Sequence, residues 1–285
     1  MIQVIATTPY TDQKMGTAGL RKKSKVVMQE HYFENFLQSI FNTIDPAGKT
    51  FVVGGDGRFY NSIAIQKLIK MAAANGVKKL IVGQNGFLST PASSNMILKR
   101  RTDGGFVLSA SHNPGGENGD FGIKFATETG GQCSSRVSDR IFAVSQTISE
   151  FKTVDAADID LSRLGTQNLE GMEIEIVDPI SDYVELMEKI FDFELIKKMF
   201  ANGFTMRFDA MNAVTGPYAI RIFEEILGAA KGSVLNAVPK PDFGGLHPDP
   251  NLVYAKELVN IMYADDAPDF GAVHSMTTTA TATAT

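Results

Sequence analysis

The side chains with the clearest chemical potential lie in one short run, Ser111-His112-Asn113-Pro114-Gly115-Gly116. A serine hydroxyl is a weak nucleophile until a base takes its proton or a phosphoryl group is already mounted on it. His112 is its neighbour, and adjacent side chains that diverge on a strand can converge in a turn. Pro114 and the paired glycines make that turn, and unhindered glycine N–H groups can approach phosphate oxygens. A plain Ser/Asn/Pro/Gly turn has the same composition. Serine-hydrolase chemistry is excluded, because its nucleophile elbow requires Gly-x-Ser-x-Gly and the chain reads Ala110-Ser111-His112.

Phosphoryl chemistry at Ser111 would need positive charge close by. Gly16-Thr17-Ala18-Gly19-Leu20-Arg21-Lys22-Lys23 combines glycines, a hydroxyl and an arginine, the ingredients of an anion site. A glycine-containing loop followed by a solvated basic run is the ordinary alternative. Lys124 alternates with Phe121, Ile123 and Phe125, so it faces away from them, toward the serine loop or toward water. Asp56-Gly57-Arg58 reads as a capped turn that supports folding rather than chemistry.

These residues must be positioned by α/β elements. Phe33, Phe36, Leu37, Ile40, Phe41 and Ile44 repeat at spacings of three and four, which predicts a helix over 32–44, ended by Asp45-Pro46. Residues 50–53 read as a buried strand, 63–75 as a helix stopped by Gly76, and 79–83 as a second strand. That is a βαβ unit, and it predicts parallel pairing. Strands over 105–108 and 119–125 follow, the second half-buried, then a helix over 139–151 and a loose connection over 152–171. Further on, 178–200 and 216–227 read as helical, 204–209 and 233–238 as strands, 252–263 as a helix and 269–273 as a strand. The expectation is two consecutive α/β domains with mixed, mostly parallel sheets, over 1–188 and 189–274, the second incomplete.

Composition bounds the partners. The 285 residues are 44% hydrophobic and 21% charged, with Lys+Arg 27 against Asp+Glu 32 and a net charge of -5. That acidic balance removes the simplest electrostatic case for binding nucleic acid. The single Cys133 cannot pair within the chain and favours a reducing compartment. Residues 1–10 lack the charged and apolar regions of a secretory signal, and no run approaches the roughly 18–20 apolar residues that span a bilayer. The expectation is a cytoplasmic protein.

In order, the chain contains Gly-Thr-Ala-Gly-Leu-Arg, Val-Gly-Gly-Asp-Gly-Arg, Ala-Ser-His-Asn-Pro-Gly-Gly, Asn-Gly-Asp-Phe-Gly-Ile-Lys and Asp-Phe-Gly-Gly-Leu-His-Pro-Asp-Pro-Asn-Leu. Over residues 1 to 272 it closely resembles the phosphoglucomutase family of the α-D-phosphohexomutases. The resemblance implies interconversion of glucose 1-phosphate and glucose 6-phosphate through a phosphoserine and a glucose 1,6-bisphosphate intermediate. It implies that Ser111 carries the phosphoryl group and His112 is a proton-transfer candidate. Arg21 and Lys124 would stabilise charge at the same centre, and Thr17 would shape the pocket. It further implies Mg2+, held here by Ser111 through its phosphate only.

One departure stands out. In the family the strand Asp-Phe-Gly-Ala leads into an Asp-Gly-Asp-Gly-Asp-Arg metal loop. Here Asp269-Phe270-Gly271-Ala272 is followed by Val273-His274-Ser275-Met276 and the Thr/Ala tail to Thr285. Asp265, Asp266 and Asp269 do not match the ligand positions. The codons GAC GGC GAC GGC GAC, read one base late, give Thr-Ala-Thr-Ala, so the tail reads as a frameshift product. Its composition predicts disorder over 275–285. The chain is therefore expected to be a truncated, inactive family member; a non-catalytic fragment that binds phosphosugar or a protein partner is the alternative.

Overall fold

Apolar residues on the central strands alternate between two faces, and each face has its own cover. In the computed structural model, which describes residues 1–16 and 19–275 and the backbone of 282–284, Phe51 and Val53 belong to one buried cluster and Val52 to another. The elements run β1 (Ile2–Ala6), β2 (Leu20–Lys23), α1 (Ser24–Val27), α2 (Tyr32–Ile44), β3 (Thr50–Gly55), α3 (Asn61–Ala74), β4 (Lys79–Phe87), α4 (Thr90–Arg100), β5 (Gly104–Leu108) and β6 (Asp120–Thr127). Then come α5 (Ser135–Ser145), β7 (Glu150–Val154), β8 (Gly165–Leu169), β9 (Met172–Val177), α6 (Ser181–Ile190) and α7 (Phe193–Ala201). The chain continues with β10 (Met206–Asp209), α8 (Thr215–Ala219), β11 (Val234–Leu235), α9 (Lys256–Met262), β12 (Phe270–Val273) and β13 (Ala282–Ala284).

The large sheet has the order β2-β6-β5-β3-β4-β9-β8. Its interior pairs β5-β3-β4-β9 are parallel, as the βαβ reading requires, and antiparallel strands close both edges. Residues of α2, α3 and α5, including Phe33, Phe36, Leu68 and Ile141, fill the core on one face. The other face packs against Met96 and Ile97 of α4 and against Ala213, Val214, Tyr218 and Phe243 from the second half. A smaller sheet, β11-β10-β12-β13, follows, with β10 parallel to both β11 and β12. The two halves thus share a buried apolar layer.

Several expectations about elements are corrected. The helix anticipated over 139–151 is α5, which ends at Ser145. Glu150–Val154 is instead a strand antiparallel to β1, with Phe151 opposite Ile5 and Val154 opposite Ile2. The connection over 152–171 holds β7 and β8, and the alternating Met-Glu-Ile-Glu-Ile of β9 adds a parallel strand beside β4. The long helix over 178–200 is two, because Asp192 caps a new start by accepting from the Leu195 N–H at 2.9 Å. The 216–227 stretch is α8 continued by a wide π-helical turn over Ile220–Ile226. The helix anticipated from 252 starts at Lys256, because the Asn251 side chain accepts from the Val253 and Tyr254 N–H groups and holds a turn there. β6 is buried on both faces rather than half-buried. Of the tail expected to be disordered, Ala282–Ala284 lies antiparallel to β12, while 276–281 and 285 lie outside the described residues.

Candidate active site

β3 and β5 are parallel neighbours, so the loops that follow them emerge at the same carboxyl edge of the sheet, the usual place for a site in α/β folds. After β3 comes Asp56-Gly57-Arg58; after β5 comes the serine loop. The chain then returns antiparallel as β6, placing Lys124 opposite Val107. β2 pairs outside β6 with Arg21 opposite Gly122. Directly paired residues share a face, and so do residues two apart on one strand. Arg21, Gly122 and Lys124 therefore line one side of the sheet, and Phe121 and Ile123 enter the core on the other. A side chain at 122 would strike the Ser109 carbonyl, which leaves the space between the two cations to the serine loop.

That register converges on Ser111. Arg21 Nη2 and Lys124 Nζ each lie 3.4 Å from Ser111 Oγ. At that length they flank the hydroxyl more than they grip it. Ser111 has φ 55, in the left-handed region that a residue with a side chain enters only under constraint. The Ser111 N–H donates to Ser109 Oγ at 2.9 Å. Arg21 Nη1 also donates to Asn113 Oδ1 at 3.3 Å, and Asn113 Nδ2 donates to Asp120 Oδ2 at 2.7 Å.

Arg58 supports this loop from below. It is fully buried with Asp56; its Nε donates to Asp56 Oδ2 at 2.8 Å, its Nη2 to the Ser111 carbonyl at 2.7 Å and its Nη1 to the Asp120 carbonyl at 2.8 Å. The Asp56 carboxylate accepts further N–H groups from Arg58 and Asn61. The anticipated capped turn is real, and it braces the serine loop as well.

Two cations thus flank the hydroxyl while a third, Arg58, holds the carbonyl of the same residue, and the nearby carboxylates, Asp56 and Asp120, are engaged elsewhere. Burial, with Arg21 and Arg58 adding repulsion and Asp56 opposing, pushes the Lys124 ammonium down to about 8. Burial and then Arg58 also lower Arg21, with Asp120 pulling the other way. Such a site is built to receive an anion. His112 is half-buried in the same loop; among the described residues its ring forms no hydrogen bond or ion pair with Ser111, Arg21 or Lys124. Thr17 lies outside the described residues. Sequence reasoning missed Asn113, Asp120 and the bracing role of Arg58; an Asp-Gly-Arg at the carboxyl end of a parallel strand was the available signal.

A divalent cation does not fit the described residues. No three His, Cys, Asp or Glu side chains among them cluster as ligands. Among the described residues, the charged side chains that approach Ser111 Oγ, Arg21 and Lys124, are cations. Asp269 is turned to the amino end of β12, where it accepts from the Thr205 N–H at 2.8 Å and from its hydroxyl at 2.9 Å.

The fold and site define an α/β domain of the phosphohexomutase type. Residues 12–152 match the family model for phosphoglucomutase/phosphomannomutase, alpha/beta/alpha domain I. A phosphoglucomutase from Rhizobium radiobacter is 55% identical over 273 residues, covering 95% of this chain and 50% of the relative. A cytoplasmic phosphoglucomutase from Populus tremula is 49% identical over 288 residues, covering 94% of this chain and 50% of that one. The crystal structure of the Paramecium exocytosis-sensitive phosphoprotein parafusin, a phosphoglucomutase, superposes with a TM-score of 0.93 at 44% identity, covering 96% of this chain and 53% of that one. The chain belongs to the phosphoglucomutase family. It spans about half the length of the curated relatives it matches.

Proposed function

We propose that Ser111 is the phosphoryl carrier of a phosphoglucomutase reaction on glucose 1-phosphate and glucose 6-phosphate. The Ser111 Oγ–phosphorus bond breaks as the free sugar hydroxyl attacks phosphorus; the hydroxyl proton ends on the departing Ser111 Oγ, and the sugar becomes glucose 1,6-bisphosphate. After the intermediate turns over, its other phosphate returns to Ser111 Oγ. Arg21 and Lys124 hold the charge that develops on the moving phosphoryl oxygens, a role for preorganised cations in a site shielded from water. His112 is the candidate for moving the sugar proton, and Thr17 for shaping the pocket wall. Mg2+, implied by the family, would supply further neutralisation of the phosphoryl oxygens; the described residues lack its ligand set. We place the reaction in the cytoplasm, in line with the name of the poplar relative, and divide the chain into units over 1–188 and 189–274.

The observation that carries this reading is the pair of 3.4 Å approaches of Arg21 and Lys124 to one constrained serine hydroxyl. The same cationic pocket would also let the chain bind a phosphosugar without turning it over. Incubation with 32P-labelled glucose 1,6-bisphosphate separates the two. Label on Ser111, found by peptide mass, absent in Ser111→Ala and chased into hexose monophosphate, is the expected result. Binding of the sugar with no label at Ser111 overturns the carrier role.

A further inference from the structure

The Asp-Phe-Gly-Gly stretch over 242–245 has no part in the chemistry just described, yet it touches the serine loop. Phe243 is fully buried and held at φ 56. For a bulky side chain that backbone is strained, and it persists only where surrounding contacts impose it. Its ring lies 5.2 Å from the Arg58 guanidinium carbon. The preceding Pro241 carbonyl accepts two N–H groups of the first half, from Phe59 at 2.8 Å and from Gly116 at 3.1 Å.

Gly115 completes the contact. A Cβ there would sit 2.8 Å from two atoms of the Phe243 ring and 2.8 Å from the Pro241 carbonyl oxygen. The turn is tied back to the end of β10, because the Lys240 N–H donates to the Asn212 carbonyl at 2.9 Å and Asn212 Nδ2 donates to the Val238 carbonyl at 3.1 Å. One guanidinium therefore has Phe243 at its side and the Ser111 carbonyl on its Nη2.

We propose that Pro241 and Phe243 are positioning residues for Ser111: the second half fixes the presentation of the serine hydroxyl through Arg58 and Gly115. Displacing the turn shifts Arg58 and loosens Gly116, and the left-handed Ser111 backbone loses its support from both ends. The phosphoryl part of the test rests on the carrier reading of Ser111, and the structural part does not.

The test uses the full chain with Phe243→Leu, Gly115→Ala and both together. Amide hydrogen exchange is read at Gly116 and Phe59, with Val53 and Phe106 in the sheet as controls. Phosphorylation of Ser111 by labelled glucose 1,6-bisphosphate is followed as a maximal rate and as a half-saturating concentration. In Phe243→Leu, protection at Gly116 and Phe59 should fall roughly tenfold, the size of a buried cation–π contact, with the controls unchanged. The maximal phosphorylation rate should fall by a similar factor while half-saturation stays put. Gly115→Ala should act in the same direction from the other side. The smaller leucine side chain leaves room for the added methyl, so the double variant should lose less than the two single losses combined. Unchanged exchange at Gly116 and Phe59 in both single variants, or full additivity in the double, overturns the proposal. Absence of label on the wild-type chain would instead defeat the carrier reading, and the exchange result would still decide this one.

Discussion

The Arg58 guanidinium donates to the Ser111 carbonyl at 2.7 Å while its Nε is bonded to Asp56 at 2.8 Å. A buried ion pair thus terminates on the backbone of the residue proposed to carry phosphate. Both side chains are fully shielded, so neither can fall back on water if its partner is removed.

Replacing Arg58 with Met should therefore destabilise the chain by about 3–5 kcal/mol, the cost of an uncompensated buried charge on Asp56. Arg58→Lys should also be destabilising, because one ammonium cannot reach acceptors on Asp56, Ser111 and Asp120 together. Urea unfolding followed by circular dichroism measures this. Near-normal stability with lost phosphoryl transfer, in these variants or in Asp56→Ala, would assign the pair to chemistry instead.

Lys124 gives a pH signature. Its folded value of about 8 lies below the ordinary lysine value of 10.5. Between those values the unfolded chain binds the proton and the folded chain does not, so this group makes stability rise as pH climbs through that window. Below about 8 the ammonium is charged in both states and its burial penalty is fully felt. Lys124→Met should flatten this rise in thermal unfolding scans taken from about pH 7 to about pH 11. Phosphorylating Ser111 should move the Lys124 titration upward, because a dianion beside the ammonium favours its charged form. NMR of the lysine side chain reads that shift directly; an unmoved titration would separate Lys124 from the phosphoryl site.

Tyr218 joins the two halves through hydrogen bonds. Its hydroxyl donates to the Pro179 carbonyl at 2.9 Å and accepts from the Ser89 N–H at 3.2 Å. Tyr218→Phe leaves the buried Ser89 N–H without this acceptor, at an expected cost of about 1–3 kcal/mol. Denaturant titration gives the number; a neutral substitution would mean that solvent reaches this junction.

Local order was legible because it is written within a few residues. The apolar stripe over 32–44 made α2, and the βαβ spacing from 50 to 83 imposed parallel pairing at the centre of the sheet. The serine turn was legible for the same reason, since Pro and Gly set its backbone locally. Short alternating segments were read less well. Met172–Val177 and Glu150–Val154 gain strand character from pairing with β4 and β1, which lie far away along the chain.

The amino-acid order alone selected the chemical groups: a serine in a glycine-rich turn, basic residues on two other segments, and family motifs in a fixed sequence. Tertiary structure decided how they meet. Lys124 could have faced solvent, and only the β2-β6-β5 register turns it and Arg21 onto Ser111. Arg58 and Phe243 acquired their roles through contacts between segments distant in the chain. Turn and helix signals act through neighbouring backbone dihedrals, whereas charge convergence depends on which strands lie side by side, and that is set by burial of both sheet faces together.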